Sequence, residues 1–342
     1  MDNQKTLILD GISGATIGKD IQACIENSSY CDLAGLGNIP LYKARSSWAK
    51  LKRKQANKDS FYHLPKKQYR QLASIISKVK PDVVLVIGFI YRFIAPEQLK
   101  KLSQQHAIKL YLYDTDSCNL YSERREFMYF IETEMQIYER IFSFSRVVTD
   151  FLTRLKLDAV FAPFGANLLE NINRGKFEHD VFFVGSADLR RIFMLEHIAE
   201  KVTVRGARWS KNCGLISSKL NSRVSDKPLW DEELRQHLLG SKIVLNITRG
   251  PFYAAETGVN LRIFEAMALG CFVLTDYCDE IAELFELGVE IETFKGSEEL
   301  VQKVAYYLEN DEARLAIAKR GYQKILSHYT WKHRVNDMLA KM

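Results

Sequence analysis

The sequence predicts an α/β protein built from two Rossmann-like halves, each with a parallel sheet covered by helices. Short apolar runs alternate with amphipathic stretches along most of the 342 residues, which favours strand–helix–strand units with right-handed crossovers. The length suits about two domains. Hydrophobic residues make up 47% and charged residues 26%, the usual values for a chain that buries a substantial core.

The first half opens on an apolar run, and four more runs follow it. The run DVVLVIG at 82–88 is almost continuously apolar, which is typical of a strand buried on both faces. The predicted strands are 5–10, 82–88, 108–113, 140–144 and 159–162, and the predicted helices are 19–26, 96–105 and 146–156.

The second half repeats this scheme, beginning with the run DVFFVG that ends in a glycine. Helical periodicity separates its apolar runs and continues from residue 297 to the end. The predicted strands are 180–185, 202–206, 242–247, 271–275 and 289–293, and the predicted helices are 189–201, 231–239, 260–269 and 280–285.

Proline, glycine and asparagine collect at 163–175, where the periodicity lapses. We therefore predict an N-terminal Rossmann-like domain at 1–165, a C-terminal Rossmann-like domain at 166–325, and a helix at 326–342 that packs back on the N-terminal domain. Ligands of such sheets bind at the carboxyl ends of the strands, so we expect a cleft between the two halves.

Composition excludes several classes of protein. No apolar run reaches the roughly 18 residues of a membrane span, and the N-terminus lacks the pattern of a signal peptide. The six cysteines form no C-x-x-C pair and lie at no zinc-ligand spacing from histidine. We expect free thiols, a cytoplasmic location and no bound metal.

A strongly basic stretch occupies residues 43–80, where twelve Lys and Arg residues accompany a single acid, Asp59. This excess favours an anionic partner. Its first part, 43–58, mixes Trp48 and Leu51 among the cations, which suits the surface of an anionic membrane. A solvated loop or a segment that contacts an anionic glycan fits the same residues. Nucleic acid is not expected, because no recognised module is present.

The most informative stretch is 249–276. Gly258 precedes a helix that begins near Asn260, and the unpaired N–H groups at a helix start can hold a diphosphate. Arg262 in the first turn adds a cationic contact. Glu265 lies on the same face, where its carboxylate can accept hydrogen bonds from both ribose hydroxyls. The alternative is a simple turn followed by a surface ion pair.

The run GVNLRIFEAMALGCFVLTD at 258–276 resembles the donor-site segment of GT-B glycosyltransferases. It is most similar to the spore-maturation CgeB-like group, relatives of the retaining family 4. VFFVGSADLRR at 181–191 and the helices at 297–335 resemble further parts of that C-terminal domain, and PDVVLVIG and KLYLYDTD resemble N-domain strands. The resemblance covers most of residues 80–342 and implies a GT-B fold of two facing Rossmann-like domains with a C-terminal helical tail.

The resemblance also implies an activity, the transfer of a sugar from an NDP-sugar to a glycan, lipid-linked or other acceptor. Cationic side chains and helix N–H groups can stabilise the departing diphosphate, so no metal or other cofactor is expected. Arg249 would point at phosphate, and Arg208 and Trp209 would contact the base. The implied donor-binding residues are Gly185, Ser186, Arg190, Arg208, Trp209, Gly258, Val259, Asn260, Arg262 and Glu265.

One feature departs from the family pattern. Many family 4 enzymes carry two glutamates separated by seven residues, but here Glu256 and Glu265 are separated by eight, and Thr257 stands at the matching position. The sugar-contacting role of the first glutamate therefore does not transfer to Glu256.

Candidates for the acceptor side lie in the first half. Asp114 and Asp116 follow a predicted strand, so they are expected at a sheet's carboxyl edge as an acceptor contact or general base. They could instead cap the next helix. His63 is an alternative base, although a lone loop histidine is more often a surface residue. Gly14 and Ala15 are predicted to approach the acceptor. No dinucleotide fingerprint is present there, and an ordinary turn fits equally well.

Two other functions remain open from the sequence. A sugar-nucleotide epimerase on the same scaffold would need acid and base groups around the sugar but no acceptor. A non-catalytic protein that binds a nucleotide or a glycan would need neither.

Overall fold

Two six-stranded sheets, every strand parallel to its neighbours, form the framework of the protein. The computed structural model describes residues 4–12, 16–56, 61, 63–169, 172 and 175–342, without the side chains of 53–56. The chain divides into a first unit, residues 1–163 with 335–342, and a second unit, residues 164–334.

The sheet of the first unit has the order β2-β1-β3-β4-β5-β6. Its central strands are fully buried because their sequences are apolar on both faces. The strands are β1 Thr6–Asp10, β2 Ser28–Asp32, β3 Val83–Ile87, β4 Lys109–Asp114, β5 Arg140–Ser143 and β6 Ala159–Phe161.

Helices connect these strands as crossovers. Pro96 begins one of them, where its missing N–H costs no hydrogen bond, and Ser145 caps another by accepting from Val148 N. The helices are α1 Ile17–Ala23, α2 Tyr42–Ala56, α3 Tyr69–Val79, α4 Pro96–His106, α5 Arg124–Tyr129 and α6 Arg146–Arg154, with 3-10 turns at Leu33–Gly35, Ser117–Leu120 and Met135–Ile137 and a π-helical turn at Phe130–Glu134.

The sheet of the second unit has the order β12-β11-β10-β7-β8-β9, so the direction of winding reverses between β7 and β10. Its strands are β7 His179–Val184, β8 Val202–Arg205, β9 Val224–Ser225, β10 Ser241–Asn246, β11 Val273–Asp276 and β12 Glu292–Phe294. Its helices are α7 Leu189–Glu196, α8 Ser218–Asn221, α9 Asp231–Leu239, α10 Gly250–Ala254, α11 Leu261–Ala268, α12 Asp279–Leu284, α13 Ser297–Glu309 and α14 Asp311–His328, with a 3-10 helix at Ser210–Leu215.

The last helix, α15 (Trp331–Leu339), carries the chain from the second unit into the first. Beyond it, the carbonyl groups of Lys341 and Met342 accept hydrogen bonds from Arg140 and from the Tyr111 hydroxyl. Within the described residues, no helix combines the length and the apolar character that crossing a membrane requires.

The first unit buries a carboxyl group in its core. Glu134, at the end of the π-helical turn, has no exposed surface. Its oxygens accept hydrogen bonds from Ile90 N at 2.9 Å, Tyr91 N at 2.7 Å and the Tyr138 hydroxyl at 3.1 Å. Glu134 therefore fixes the loop that follows β3. Burial raises the pKa of this carboxyl to about 8, although the three donors oppose the shift.

We expect Glu134 to make the protein less stable as the pH rises. Above its usual pKa the unfolded state loses the proton while the folded state keeps it, so the free energy of unfolding falls until the pH reaches about 8. Urea unfolding followed by circular dichroism between about pH 5 and about pH 8 should show a shallower decline for Glu134→Gln than for the wild type. Equal slopes for the two proteins would contradict the prediction.

Candidate functional site

The reversal of winding between β7 and β10 is the position where open α/β sheets bind ligands, beyond the carboxyl ends of the strands. The loops after these two strands, residues 185–188 and 247–250, are joined there. Asp188 accepts a hydrogen bond from Gly250 N at 3.1 Å. Arg191 donates to the carbonyl oxygens of Ser186 and Ile247, both at 2.9 Å. We call these two segments the switch loops.

Arg191 is a buried cation, 9% exposed. Burial lowers the pKa of its guanidinium to about 10, which still leaves it charged at neutral pH. Gly185 lies close to it, since a Cβ there would stand 3.1 Å from an Arg191 nitrogen. The predicted donor residues Gly185 and Ser186 are thus held by a neighbouring arginine that the sequence did not single out.

Arg190 joins α7 to the residues that follow β10 and to the end of β11. Its two terminal nitrogens bind the carboxylate of Asp276 at 2.8 and 2.5 Å, and one also donates to the Thr248 carbonyl at 3.0 Å. The Asp276 side chain is 3% exposed and accepts a further bond from Thr248 N at 2.6 Å. Arg190 lies in the predicted region, but its guanidinium fork is occupied by Asp276.

The start of α11 is fixed by a chain of amide side chains. Asn260 caps the helix by accepting from Arg262 N at 3.1 Å. Its amide nitrogen donates to Asn246 and to the Gly258 carbonyl, both at 3.1 Å. Asn246 in turn donates to the Thr275 hydroxyl at 2.8 Å. The first turn of α11 is therefore anchored to the carboxyl ends of β10 and β11.

The two residues before Asn260 contribute through their backbone. Val259 is fully buried, so its side chain belongs to the core. Gly258 is required by a close approach, because a Cβ there would lie 2.9 Å from the Cys278 sulfur. A ligand at this helix start would meet main-chain groups at both positions.

Arg262 and Glu265 form an ion pair of 2.6 Å on α11, with side chains 20% and 32% exposed. This is the pairing that the sequence left open as an alternative. The exposed third of Glu265 shows that its carboxylate does not turn into the core. The pair therefore stands at the surface beside the anchored helix start.

A cavity of about 610 Å³ lies beside Gly258, within the second unit. Carboxylates, hydroxyls and two aromatic rings line it, with no Lys or Arg among its described lining residues. The lining includes Tyr253, Glu256, Thr257, Tyr277 and Asp279. Such a surface fits the hydroxyl groups of a sugar better than a phosphate. Tyr277 and Asp279 were not predicted from the sequence, although their place within three residues of the end of β11 was a usable signal.

The expected role of Trp209 is corrected by the structure. Its side chain is 1% exposed and packs edge-on against Phe183, with ring centroids 6.3 Å apart. The indole nitrogen donates to the Gly185 carbonyl at 3.0 Å. Trp209 is therefore a core residue that supports a switch loop, and its ring is not available to a nucleotide base.

The two remaining arginines that were predicted to contact the donor, Arg208 and Arg249, are at least partly exposed. Arg208 is exposed, with a φ of 68°, and its contact with a base stays a prediction. Arg249 is half-buried and directly precedes α10, in the second switch loop.

The two predicted aspartates lie at the end of β4 and in the turn that follows it. Asp114 is 1% exposed and accepts from Ser117 N at 3.0 Å and from the Ser117 hydroxyl at 2.6 Å. Burial raises its pKa to about 6. Asp116 is half-buried and accepts from the Asn119 amide at 2.7 Å. Asp114 ends β4, as the prediction of a sheet-edge position requires, but its carboxylate is buried and bound to Ser117, which argues against a contact with an acceptor. The acceptor role of Asp116 stays a prediction.

The His63 side chain is half-buried and contacts neighbouring residues of the first unit. Its ring lies 3.3 Å from the Arg92 carbonyl and meets Tyr91 edge-on, with centroids 5.8 Å apart. Burial lowers its pKa, so the neutral form prevails at pH 7.

Gly14 and Ala15 lie outside the described residues. Within the described part of the chain, no group of three or more His, Cys, Asp or Glu could hold a metal ion.

In comparisons with known proteins, the C-terminal part of the chain is similar to a glycosyltransferase family. A family described as "Glycosyl transferase-like" matches residues 190–340. None of the curated proteins compared with the chain matches it.

Solved structures resemble the whole chain. A glycosyltransferase from Rickettsia africae ESF-5 is 12% identical, with a TM-score of 0.61 over 99% of this chain and 97% of that one. Sucrose-phosphate synthase from Thermosynechococcus elongatus is 12% identical, with a TM-score of 0.65 over 98% of each chain. Anabaena HepE in complex with UDP-glucose is 13% identical, with a TM-score of 0.63 over 98% of this chain and 100% of that one. The predicted GT-B fold with a C-terminal helical tail is confirmed.

Proposed function

We propose that the protein is a glycosyltransferase that transfers a sugar from an NDP-sugar donor bound by the second unit. The observation that carries this proposal is the anchored start of α11, where Asn260, Arg262 and Glu265 stand beyond the carboxyl ends of β10 and β11. These residues lie inside the segment that matches glycosyltransferase-like domains. The Anabaena structures, which share the fold, are of complexes with UDP, UDP and glucose, or UDP-glucose.

The geometry supports a division of labour around the donor. The main chain at Gly258 and Val259 and the guanidinium of Arg262 would hold the diphosphate. Glu265 would loosen its ion pair with Arg262 and accept hydrogen bonds from the ribose hydroxyls instead. The neighbouring cavity, with its acidic and hydroxyl lining, would receive the sugar ring.

Bond cleavage places negative charge on the departing diphosphate. Arg262 and Arg249 are the cations that would stabilise this charge, so the proposed transfer needs no metal ion. By resemblance to the CgeB-like and family 4 enzymes, we propose a UDP-hexose donor and retention of configuration. The acceptor would be a glycan or a lipid-linked sugar in cytoplasmic polysaccharide biosynthesis, bound by the first unit near His63 and Asp116.

A thermal-shift screen with UDP, GDP, dTDP, ADP and CMP tests the proposal. One nucleoside diphosphate should stabilise the native protein, by about 2.7 kcal/mol at a hundred times its dissociation constant. The matching NDP-sugar should then release NDP when an acceptor is supplied. Isomerised donor without an acceptor would indicate an epimerase. The absence of stabilisation by every nucleotide would overturn the proposal.

A further inference from the structure

Helix α2 presents apolar side chains to solvent. Leu41, directly before the helix, is 81% exposed, Trp48 is 62% exposed and Leu51 is 55% exposed. Single exposed apolar residues are common on soluble proteins. Trp48 and Leu51 recur with Ala44 at intervals of three and four residues, so they form one stripe along the helix, and Leu41 adds a further exposed apolar side chain directly before its start.

This stripe is not the side by which α2 attaches to the first unit. Among residues 42–52 of the helix, whose side chains the structure describes, the half-buried ones are Tyr42, Ser46 and Ala49, which lie on roughly the opposite side. The Tyr42 hydroxyl donates to the Leu64 carbonyl at 3.0 Å and fastens that inner side. The apolar stripe therefore faces away from the protein.

The charges around the stripe have a single sign. Lys43, Arg45, Lys50 and Lys52 are all exposed. The Lys52 ammonium lies 5.2 Å from the centre of the Trp48 ring, so cation and apolar surface adjoin. The sequence has no acid between Asp32 and Asp59. The surface is complementary to a partner that is both anionic and apolar.

We propose that Leu41 and α2 form a membrane-interface helix that binds a bilayer containing anionic lipids. Leu41, Trp48 and Leu51 would enter the boundary between headgroups and acyl chains, and the flanking cations would contact the lipid phosphates. A soluble polyanion would account for the cations alone, whereas a bilayer accounts for the apolar stripe as well. The inference goes beyond the proposed function, because it uses no residue of the donor site.

Co-sedimentation of the full chain with vesicles tests this inference. The protein should bind vesicles of phosphatidylcholine mixed with phosphatidylglycerol, and bind pure phosphatidylcholine vesicles much less. Added salt should weaken the binding, because it screens the charges. Trp48→Ala combined with Leu51→Ala should reduce the affinity for the mixed vesicles by at least about tenfold, since two large side chains lose their burial.

Trp230→Ala is the matched control. Trp230 is also half exposed, at 50%, but lies in the second unit, so its replacement should leave vesicle binding unchanged. Nucleotide stabilisation should be the same in all variants, which separates this test from that of the proposed function. A wild-type protein that does not sediment with mixed vesicles would overturn the inference. So would undiminished binding by the Trp48 and Leu51 variant, or binding of a soluble anionic polysaccharide without binding of vesicles.

Discussion

Replacing Glu265 with alanine should weaken donor binding about 100-fold. A carboxylate that accepts from two ribose hydroxyls makes two charge-assisted hydrogen bonds, each worth roughly 1.5–3 kcal/mol. Part of this gain is offset because Glu265 must loosen its 2.6 Å pair with Arg262. A net loss of about 2.7 kcal/mol corresponds to about 100-fold in affinity. Calorimetry with the nucleotide chosen by the thermal screen would measure it.

The fold should survive this replacement. The Glu265 side chain is 32% exposed, and surface ion pairs contribute about 0–1 kcal/mol to stability. Glu299→Ala is a matched control, because Glu299 is also a helical glutamate, 37% exposed and paired with Lys303 at 2.8 Å. That variant should bind nucleotide as the wild type does.

Binding of the nucleoside, which lacks the phosphates, distinguishes the role of Glu265 from that of Arg262. Glu265→Ala should weaken the nucleoside as well as the diphosphate, because the ribose is common to both. Arg262→Ala should weaken only the diphosphate. Unchanged affinity of Glu265→Ala for both ligands would remove the ribose assignment and with it the main support for the donor site.

The strands were predictable where the sequence is apolar on both faces. The predicted strand at 82–88 contains β3 (Val83–Ile87), and the predicted helix at 231–239 coincides with α9. In such segments the local pattern and the tertiary environment agree, because a central parallel strand must be apolar and a crossover helix must be amphipathic.

Edges and solvent-facing segments were not predictable in the same way. The edge strands β2 and β9 were missed because the first has the polar sequence SSYCD and the second has only two residues, so neither gives an apolar run. Helix α2 was missed because its large apolar residues face solvent, so they give no pattern of a buried face. Its Ala, Lys, Arg and Gln content was the remaining signal, since these residues favour helices.

The candidate site was likewise predictable from the sequence only in part. The start of α11 could be inferred, because a Gly and a capping Asn before an apolar helix have local meaning. The positions of Trp209, Asp114 and Arg190 could not. Each lies at or after the end of a strand, as the sequence indicates. The direction of the side chain is decided by packing, in two cases against partners distant in the sequence, Gly185 for Trp209 and Asp276 for Arg190.

Replacing Gly206 with alanine should destabilise the second unit by about 3–5 kcal/mol. Gly206 follows β8 with a φ of 151°, which residues with a side chain rarely adopt, and a Cβ there would lie 1.9 Å from the Gly185 carbonyl oxygen. Overpacking costs about 1–3 kcal/mol, and the backbone strain adds a similar amount. Because the total approaches the 5–15 kcal/mol that stabilises a typical protein, the loss should be plain in urea unfolding.

The clash falls on the switch loop that the proposed donor site uses. The Gly185 carbonyl also accepts from the Trp209 indole at 3.0 Å, so displacing it disturbs the loop and the core beneath it together. Tryptophan fluorescence, to which the buried Trp209 and Trp331 both contribute, should report the unfolding, and nucleotide binding should weaken in the same variant. Gly214→Ala is the control, since a Cβ at Gly214 meets nothing within 4 Å and should change stability by no more than about 0.5 kcal/mol. If Gly206→Ala unfolded at the same urea concentration as the wild type, the loop after β7 and the loop after β8 would not approach each other as described. The support that Trp209 gives to the site would then have to be reassigned.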